Sequence, residues 1–521
     1  MGLGVAVWAG WIAAIDPTWE TPDDPVAAMG MLGWGVAAQG LVYYPFGSLA
    51  WAWLVHGLAP WLGVVSYGVA ILVALGVAAA GTWVALRHAT LPAAGAWALA
   101  VLLFARPLAQ PQFTVLAGMA AVAGVLLLAV APGAGAGWRR LGGWGLLLTG
   151  ACLRPIEAAL VAALATPWLP WRAWVGDARE RGWVLGAAAL LACGGALDAW
   201  VHADPAWAAR QAYAASLALA VCDYHVGPYL AARPEVLAAH GASANDLALL
   251  AAYFHADPAV NALGGMRWGE RGMAWGAYLQ GNLALLPESL DVWTHRPLWP
   301  LLAVLGVGGL LAGRGRRRLL VGLALLGGAC LALVVLGRPM PPRVAFAPVA
   351  LLAACAVLEA CRALTPEAAG RRVLVGVLVL AAGAALTLEG GARLAREPQL
   401  RQARALVMQL DPVVRYLVWA DFPFHNAYRV LEREPQLLAR RYTPLGWPCI
   451  LPNVAAADRD GLGRSWWQRL QAGEPVRLVA SPAHVALLAT YAREHAGRAL
   501  VSRPLGSPVV HELRLGRGPL P

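Results

Sequence analysis

Apolar runs close to bilayer length recur along most of the chain. Taking roughly 17–25 residues per crossing, and admitting shorter or tilted stretches, they fall at 1–15, 63–86, 91–105, 114–131, 183–201, 297–313, 319–336, 344–361 and 373–389. The first has neither a basic n-region nor an A-x-A-like cleavage pattern, so it reads as a span and not as a signal peptide. The stretch 141–168 is also apolar but is interrupted by Arg154-Pro155. From about residue 390 charge and proline rise. Short runs at 415–420, 476–481 and 508–515 read as strands, and 482–495 reads as a helix. The expected fold is an all-α polytopic membrane bundle over 1–389, followed by a small soluble α/β domain over 390–521.

Arginine orients the bundle. The connections holding Arg87, Arg139–Arg140, Arg172/Arg179/Arg181, Arg314/Arg316/Arg317/Arg318 and Arg362/Arg371/Arg372 are expected to face the cytoplasm. Loop 16–62 has no arginine and carries Asp16, Glu20, Asp23 and Asp24, so it is expected outside. The two assignments agree only if 141–168 enters and leaves on one side. It therefore reads as a pair of short helices turning at Arg154-Pro155, since proline disfavours helix in the residue before it. Eleven spans follow, with the N-terminus inside and loops 16–62 and 202–296 and the C-terminal domain outside. Within the first loop, Phe46–Leu62 reads as an interfacial helix with Trp51, Trp53 and Trp61 at headgroup level.

Composition narrows the class without naming a reaction. The 521 residues are 59% hydrophobic and 13% charged, against about 45–50% and about 25% in soluble domains. A single soluble fold and intrinsic disorder are both excluded. The net charge is +11, and every basic residue is arginine. The arginines are spread among loops and form no stripe, so nucleic-acid binding is disfavoured. Among seven cysteines no metal-binding spacing occurs. Cys152, Cys193, Cys330, Cys355 and Cys361 read as buried packing residues, whereas Cys222 and Cys449 fall in polar regions where a disulfide is an option.

Three constellations can carry chemistry. Glu20-Thr-Pro-Asp23-Asp24 follows the first span. Adjacent carboxylates repel, which raises the pKa of one and suits it to act as a general base, or the pair holds a divalent cation. The alternative is a solvated acidic loop with an aspartate capping a helix over 26–31. The second is a set of arginines at outer span ends: Arg106, Arg154, Arg338 and Arg343. Guanidinium forks suit a lipid phosphate at that depth; the alternative is an internal Arg154–Glu157 pair with snorkelling neighbours. The third lies in loop 202–296, at Asp223, Asp246, His255 and Asp257. There Ser243 or Asn245 capping a helix is the structural alternative. The chain has no HExxH, GxSxG, Walker A or Rossmann fingerprint, which removes zinc proteolysis, α/β-hydrolase chemistry and ATP-driven transport.

The Asp-Asp pair after the first span, the Leu153-Arg154-Pro155 break, the Pro341-Pro342-Arg343 run opening a late span and the outer C-terminal domain together resemble the GT-C superfamily of membrane glycosyltransferases. More closely, Asp23-Asp24 with Met29, and Gly241-Ala-Ser-Ala-Asn245-Asp246 with a following Asp257, look like a large family of bacterial multi-span proteins that has no assigned substrate. The resemblance implies a cell-envelope enzyme of the inner membrane. It would move a sugar, hexosyl or pentosyl, from a polyprenyl-phosphate donor to an outer lipid, glycan or protein acceptor. It implies Asp23 or Asp24 as base and Arg154, Arg338 and Arg343 as the donor-phosphate clamp. Glu20, Asp246, His255 and Asp257 take acceptor or structural roles. The other classes open at this point are a transporter or flippase of a lipid-linked or anionic solute, and a non-catalytic envelope-assembly protein. Large outer regions and the lack of repeated halves disfavour the transporter.

Overall fold

The computed structural model describes residues 2–43, 46–130, 137–210, 212, 214, 216, 226–257, 260, 263, 266, 268–365, 367–419, 422–459 and 464–516. Asp223 and Cys222, and with Cys222 its suggested pairing to Cys449, lie outside the described residues.

Among them, five helices are long and apolar enough to cross a membrane: Leu49–His88, Ala178–His202, Gly313–Val335, Pro342–Ala363 and Ala369–Gln409. Shorter apolar helices accompany them. The protein is a multi-pass membrane bundle carrying a small C-terminal sheet. The bundle begins with α1 (Gly2–Ile15), α2 (Asp23–Leu32), α3 (Leu49–Leu62), α4 (Ser66–His88), α5 (Ala93–Ala109) and α6 (Phe113–Ala129). A helix apolar on every side belongs in the centre, and every side chain of α6 is buried. Next come α7 (Gly137–Leu153) and α8 (Pro155–Leu164). Small residues let α7 press onto α6: a Cβ on Gly150 would stand 2.5 Å from the Ala117 carbonyl oxygen.

The outer loop departs from expectation. Helix α3 is joined to α4 by a short 3-10 turn, giving one 40-residue helical run. Trp53 and Trp61 are 54% and 80% exposed, but Trp51 is 3% exposed and sits in the core, so only two of the three tryptophans are free for headgroups. Helical spacing explains the split: positions 51 and 55 turn inward together, and position 53 faces the other side. Among the cysteines, Cys193 is exposed and not a packing residue. It lies on α9 (Ala178–His202), few of whose side chains are buried within the chain.

The later helices are α10 (Ala244–Ala251), α11 (Trp299–Leu311), α12 (Arg316–Val335), α13 (Pro342–Ala363) and α14 (Ala369–Gln409). At one end of α13, buried Glu359 takes Arg318 at 3.1 Å and Arg362 at 2.7 Å. The span expected to end at 389 runs on unbroken to Gln409. Its first half is apolar. Its second half turns Ala403 and Val407 into the core of the C-terminal domain, so one helix ties bundle and domain together.

That domain contains β1 (Arg415–Val418), β2 (Arg441–Pro444), β3 (Val476–Val479), α15 (Pro482–Ala496), β4 (Leu500–Pro504) and β5 (Val510–Leu515). The strand order is β2-β1-β3-β5-β4. The first three strands are parallel and the last two antiparallel. The domain docks onto the acidic segment that follows α1. Tyr442 N donates to Gly35 O at 3.0 Å, and Asn453 Nδ2 to Gly30 O at 2.8 Å. Arg429 pairs with Asp16 at 3.3 Å.

Candidate active site at one mouth of the bundle

Asp23 and Asp24 open α2, where a helix N-terminus favours negative charge. Being adjacent, they point different ways and have different environments. Asp24 is fully buried. Its Oδ1 accepts from the Tyr67 hydroxyl at 2.9 Å and the Phe113 amide at 3.2 Å, and its Oδ2 from Thr21 Oγ1 at 3.4 Å. It ties α2 to α4 and to the start of α6. Asp23 instead lines a cavity of about 270 Å³ together with Arg343, Tyr253, Trp419, Phe424 and Trp447. Its Oδ1 accepts from Trp447 Nε1 at 3.0 Å.

Burial pushes the Asp23 carboxyl above the ordinary aspartate value, while Arg343, the Trp447 hydrogen bond and Arg154 pull it back. Asp24 is pushed well above that value by burial, against the Tyr67 hydrogen bond, with Asp23 and Glu20 adding repulsion. Folded Asp24 therefore holds its proton more tightly than the unfolded chain does. Its linked stability is present at low pH and is lost as pH rises through the folded value. Asp24→Asn keeps an acceptor for Tyr67 and the Phe113 amide and is expected to flatten this dependence in thermal unfolding. Asp24→Ala strands Tyr67 and the Phe113 amide, and should cost about 2–5 kcal/mol.

Arg154 stands in extended backbone (φ −157°, ψ 96°) between α7 and α8, with Pro155 opening α8. The end of α7 is held by the segment before α3: Ser48 N donates to Cys152 O at 2.7 Å. Gly47 passes so close that a Cβ would lie 2.3 Å from both the Cys152 and Leu153 carbonyl oxygens. Gly47→Ala is therefore expected to destabilise the protein by about 1–3 kcal/mol, read as a lower unfolding temperature. It should also displace Arg154.

The guanidinium of Arg154 lies 3.3 Å from Glu157 and 5.5 Å from the Phe113 ring centre, with a third of the side chain still exposed. Phe113 stacks on Phe46 at 4.6 Å, and Phe46 meets Trp447 at 5.0 Å. This aromatic chain connects Arg154 to the Asp23 partner. The Arg154–Glu157 pair expected as the structural alternative does form, yet Arg154 is not sequestered by it. Both Arg154 and Arg343 act electrostatically on Asp23. Asp23 and Arg343, 320 positions apart in sequence, line one cavity, and Arg154 and Asp24 are not among its lining residues.

Other sequence-singled residues lie elsewhere. Arg338 stands exposed in the turn between α12 and α13 and does not line this cavity. Glu20 accepts from Arg106 at 2.6 Å, and Arg106 also pairs with Glu389 at 3.6 Å. These three line a separate cavity of about 730 Å³ that includes His295, Arg396 and His425. Asp246 completes a capping box with Ser243 and binds His495 Nε2 at 2.9 Å. Asp257 accepts from the Tyr491 hydroxyl. His255 is buried, its amide bonded to Leu445 O at 2.8 Å. Asp246 and Asp257 thus fasten loop 202–296 to α15, and His255 fastens it to the residue after β2. Asp246, Glu494 and His495 also bring three donor atoms within 4.8 Å of one another.

Sequence reading missed Trp447, Tyr253, Trp419 and Phe424. They come from the C-terminal domain and from loop 202–296, and no motif marks them. Tyr253 has one structural signature, a φ of +60° that is costly for an aromatic residue.

No family model and no curated protein matches the chain. Its structural neighbours are two crystal structures of ArnT from Cupriavidus metallidurans, one bound to undecaprenyl phosphate and one in the apo state. Each covers 98% of this chain and 97% of that chain at 14% identity, with TM-scores of 0.39 and 0.40.

Proposed function

We propose that the protein is a membrane glycosyltransferase working on the outer face of the inner membrane, with its N-terminus inside. It moves a sugar from a polyprenyl-phosphate donor to an outer acceptor. The observation that carries the reading is the cavity lined by Asp23 and by Arg343 at the opening of α13, with Arg154 acting on Asp23 from the turn between α7 and α8. A glycosyl transfer needs a carboxylate and a phosphate clamp at that place, where a lipid headgroup enters from the side.

In this reading Asp23 takes the proton of the acceptor hydroxyl. The oxygen attacks the anomeric carbon. The bond from that carbon to the phosphate oxygen breaks, and the bonding pair leaves with polyprenyl phosphate. Arg343 and Arg154 meet the charge that builds on the departing phosphate. Asp24 positions Asp23 by holding α2 to Tyr67 and Phe113. Tyr253, Trp419 and Trp447 enclose the cavity and limit water, the competing nucleophile.

The test is release of polyprenyl phosphate from a radiolabelled polyprenyl-phosphate sugar by the purified protein. Release that depends on an added hydroxyl acceptor supports the reading, and its absence with a panel of donor sugars counts against it. Two guanidinium groups already supply positive charge beside Asp23, so EDTA-treated protein is expected to keep its rate. A loss restored by magnesium or manganese would instead put a divalent cation in the mechanism.

A further inference from the structure

A cavity of about 530 Å³ opens between the second half of α14 and the sheet of the C-terminal domain. Its polar lining is Gln399, Gln402, Gln409, Asn426, Ser481 and Ser507, and among the described residues no charged side chain lines it. The three glutamines come from one helix. At 100° per residue, positions 399, 402 and 409 fall within about 80° of one another, on one face. They turn toward the sheet with Ala403 and Leu406 between them.

The place is also distinctive. The order of connection reverses at β1: β2 lies on one side of it and β3 on the other, all three parallel. Open α/β sheets bind ligands in the crevice beyond the carboxyl ends of strands at such a switch point. Residues 479–481, at the end of β3, and Phe422 and Asn426, after β1, line the cavity there. Nucleotides and phosphates at switch points rely on cations or a glycine-rich loop, and among the described residues neither lines this one. Planar amides offer a donor and an acceptor side by side, which matches vicinal hydroxyl groups. Val479, Val509 and Pro423 supply apolar surface for the C–H face of a sugar ring.

We infer that this cavity is a binding site for uncharged glycan, distinct from the Asp23 cavity. Gln399 and Asn426 also line the larger cavity that holds Glu20 and Arg106. The two spaces therefore adjoin at these two residues, while the charged side chains line only the larger one among the described residues. As an acceptor-holding site the cavity rests on the transfer reading; as a glycan site it is measured without any transfer.

Saturation-transfer NMR on the full chain in lipid nanodiscs, with maltotriose, cellotriose, mannotriose and chitotriose as probes, tests it. At least one trisaccharide should give a saturable signal. The double variant Gln402→Ala/Gln409→Ala changes two exposed residues, so its fold should survive, and its affinity should fall at least tenfold. Asp23→Asn should bind as the unchanged protein does, so loss of transfer with retained binding separates the two readings. Saturable binding by none of the four, unchanged affinity in the double variant, or stronger binding of trigalacturonate would overturn the inference.

Discussion

Asp23→Asn is expected to lower the transfer rate by about 10²–10⁴-fold, the usual contribution of a positioned general base, with an unchanged unfolding temperature. Asparagine keeps the shape and can still accept from Trp447, but cannot take a proton at neutral pH. The pH profile should carry the same signature. Burial raises the Asp23 pKa, so the acid limb of kcat/KM should lie above the ordinary aspartate range, and activity should fall as pH drops through it. Trp447→Phe removes a hydrogen bond that favours the charged carboxylate. It should move that limb to higher pH while leaving the carboxylate in place. A profile flat through the acid range in the unchanged protein would remove Asp23 from the base role.

Arg343→Met is expected to lower kcat by about 10²–10³-fold, the scale of losing one preorganised charge-stabilising group. Methionine keeps much of the apolar stem, so packing at the start of α13 should hold. Arg343 also opposes the burial effect on Asp23, so its loss should raise the Asp23 pKa and shift the acid limb upward. The same substitution thus gives two readouts, a lower plateau and a displaced limb, and a purely structural arginine would give neither. Arg338→Met serves as the contrast. That residue is exposed and outside the cavity, so its substitution should change kcat by less than the error of the assay.

Much of the bundle was legible in the sequence because a membrane helix must be apolar along its length, and that leaves a direct mark on the pattern. The break at Arg154-Pro155 was legible for a different reason: proline and a buried charge conflict with a continuous apolar helix, and the chain does leave helical geometry there. The extent of α14 was not. Its second half is amphipathic and holds Pro398, so it reads as the start of a soluble domain, while tertiary packing of Ala403 and Val407 keeps it helical to Gln409. Strands β2 and β4 escaped notice because four- and five-residue strands carry too few alternations to stand out.

The site shows the same division. Charged residues in apolar surroundings advertise themselves through their cost, which is why Asp23, Asp24, Arg154 and Arg343 could be singled out. Their unequal roles could not be read, since adjacent aspartates look alike until Tyr67 and Phe113 are seen to take one and the cavity the other. Trp447 is 424 positions from Asp23 and meets it only because the C-terminal domain docks on the acidic loop. Arg338 had the right setting in sequence but stands one turn too early to enter the cavity.

Binding of undecaprenyl phosphate, followed by native mass spectrometry of the purified protein, tests the central claim most directly. The lipid should bind saturably to the unchanged protein and to Arg338→Met. Its affinity should fall at least tenfold in Arg343→Met and further in Arg154→Met/Arg343→Met. Equal binding in all four proteins, or loss only in Arg338→Met, would contradict the account.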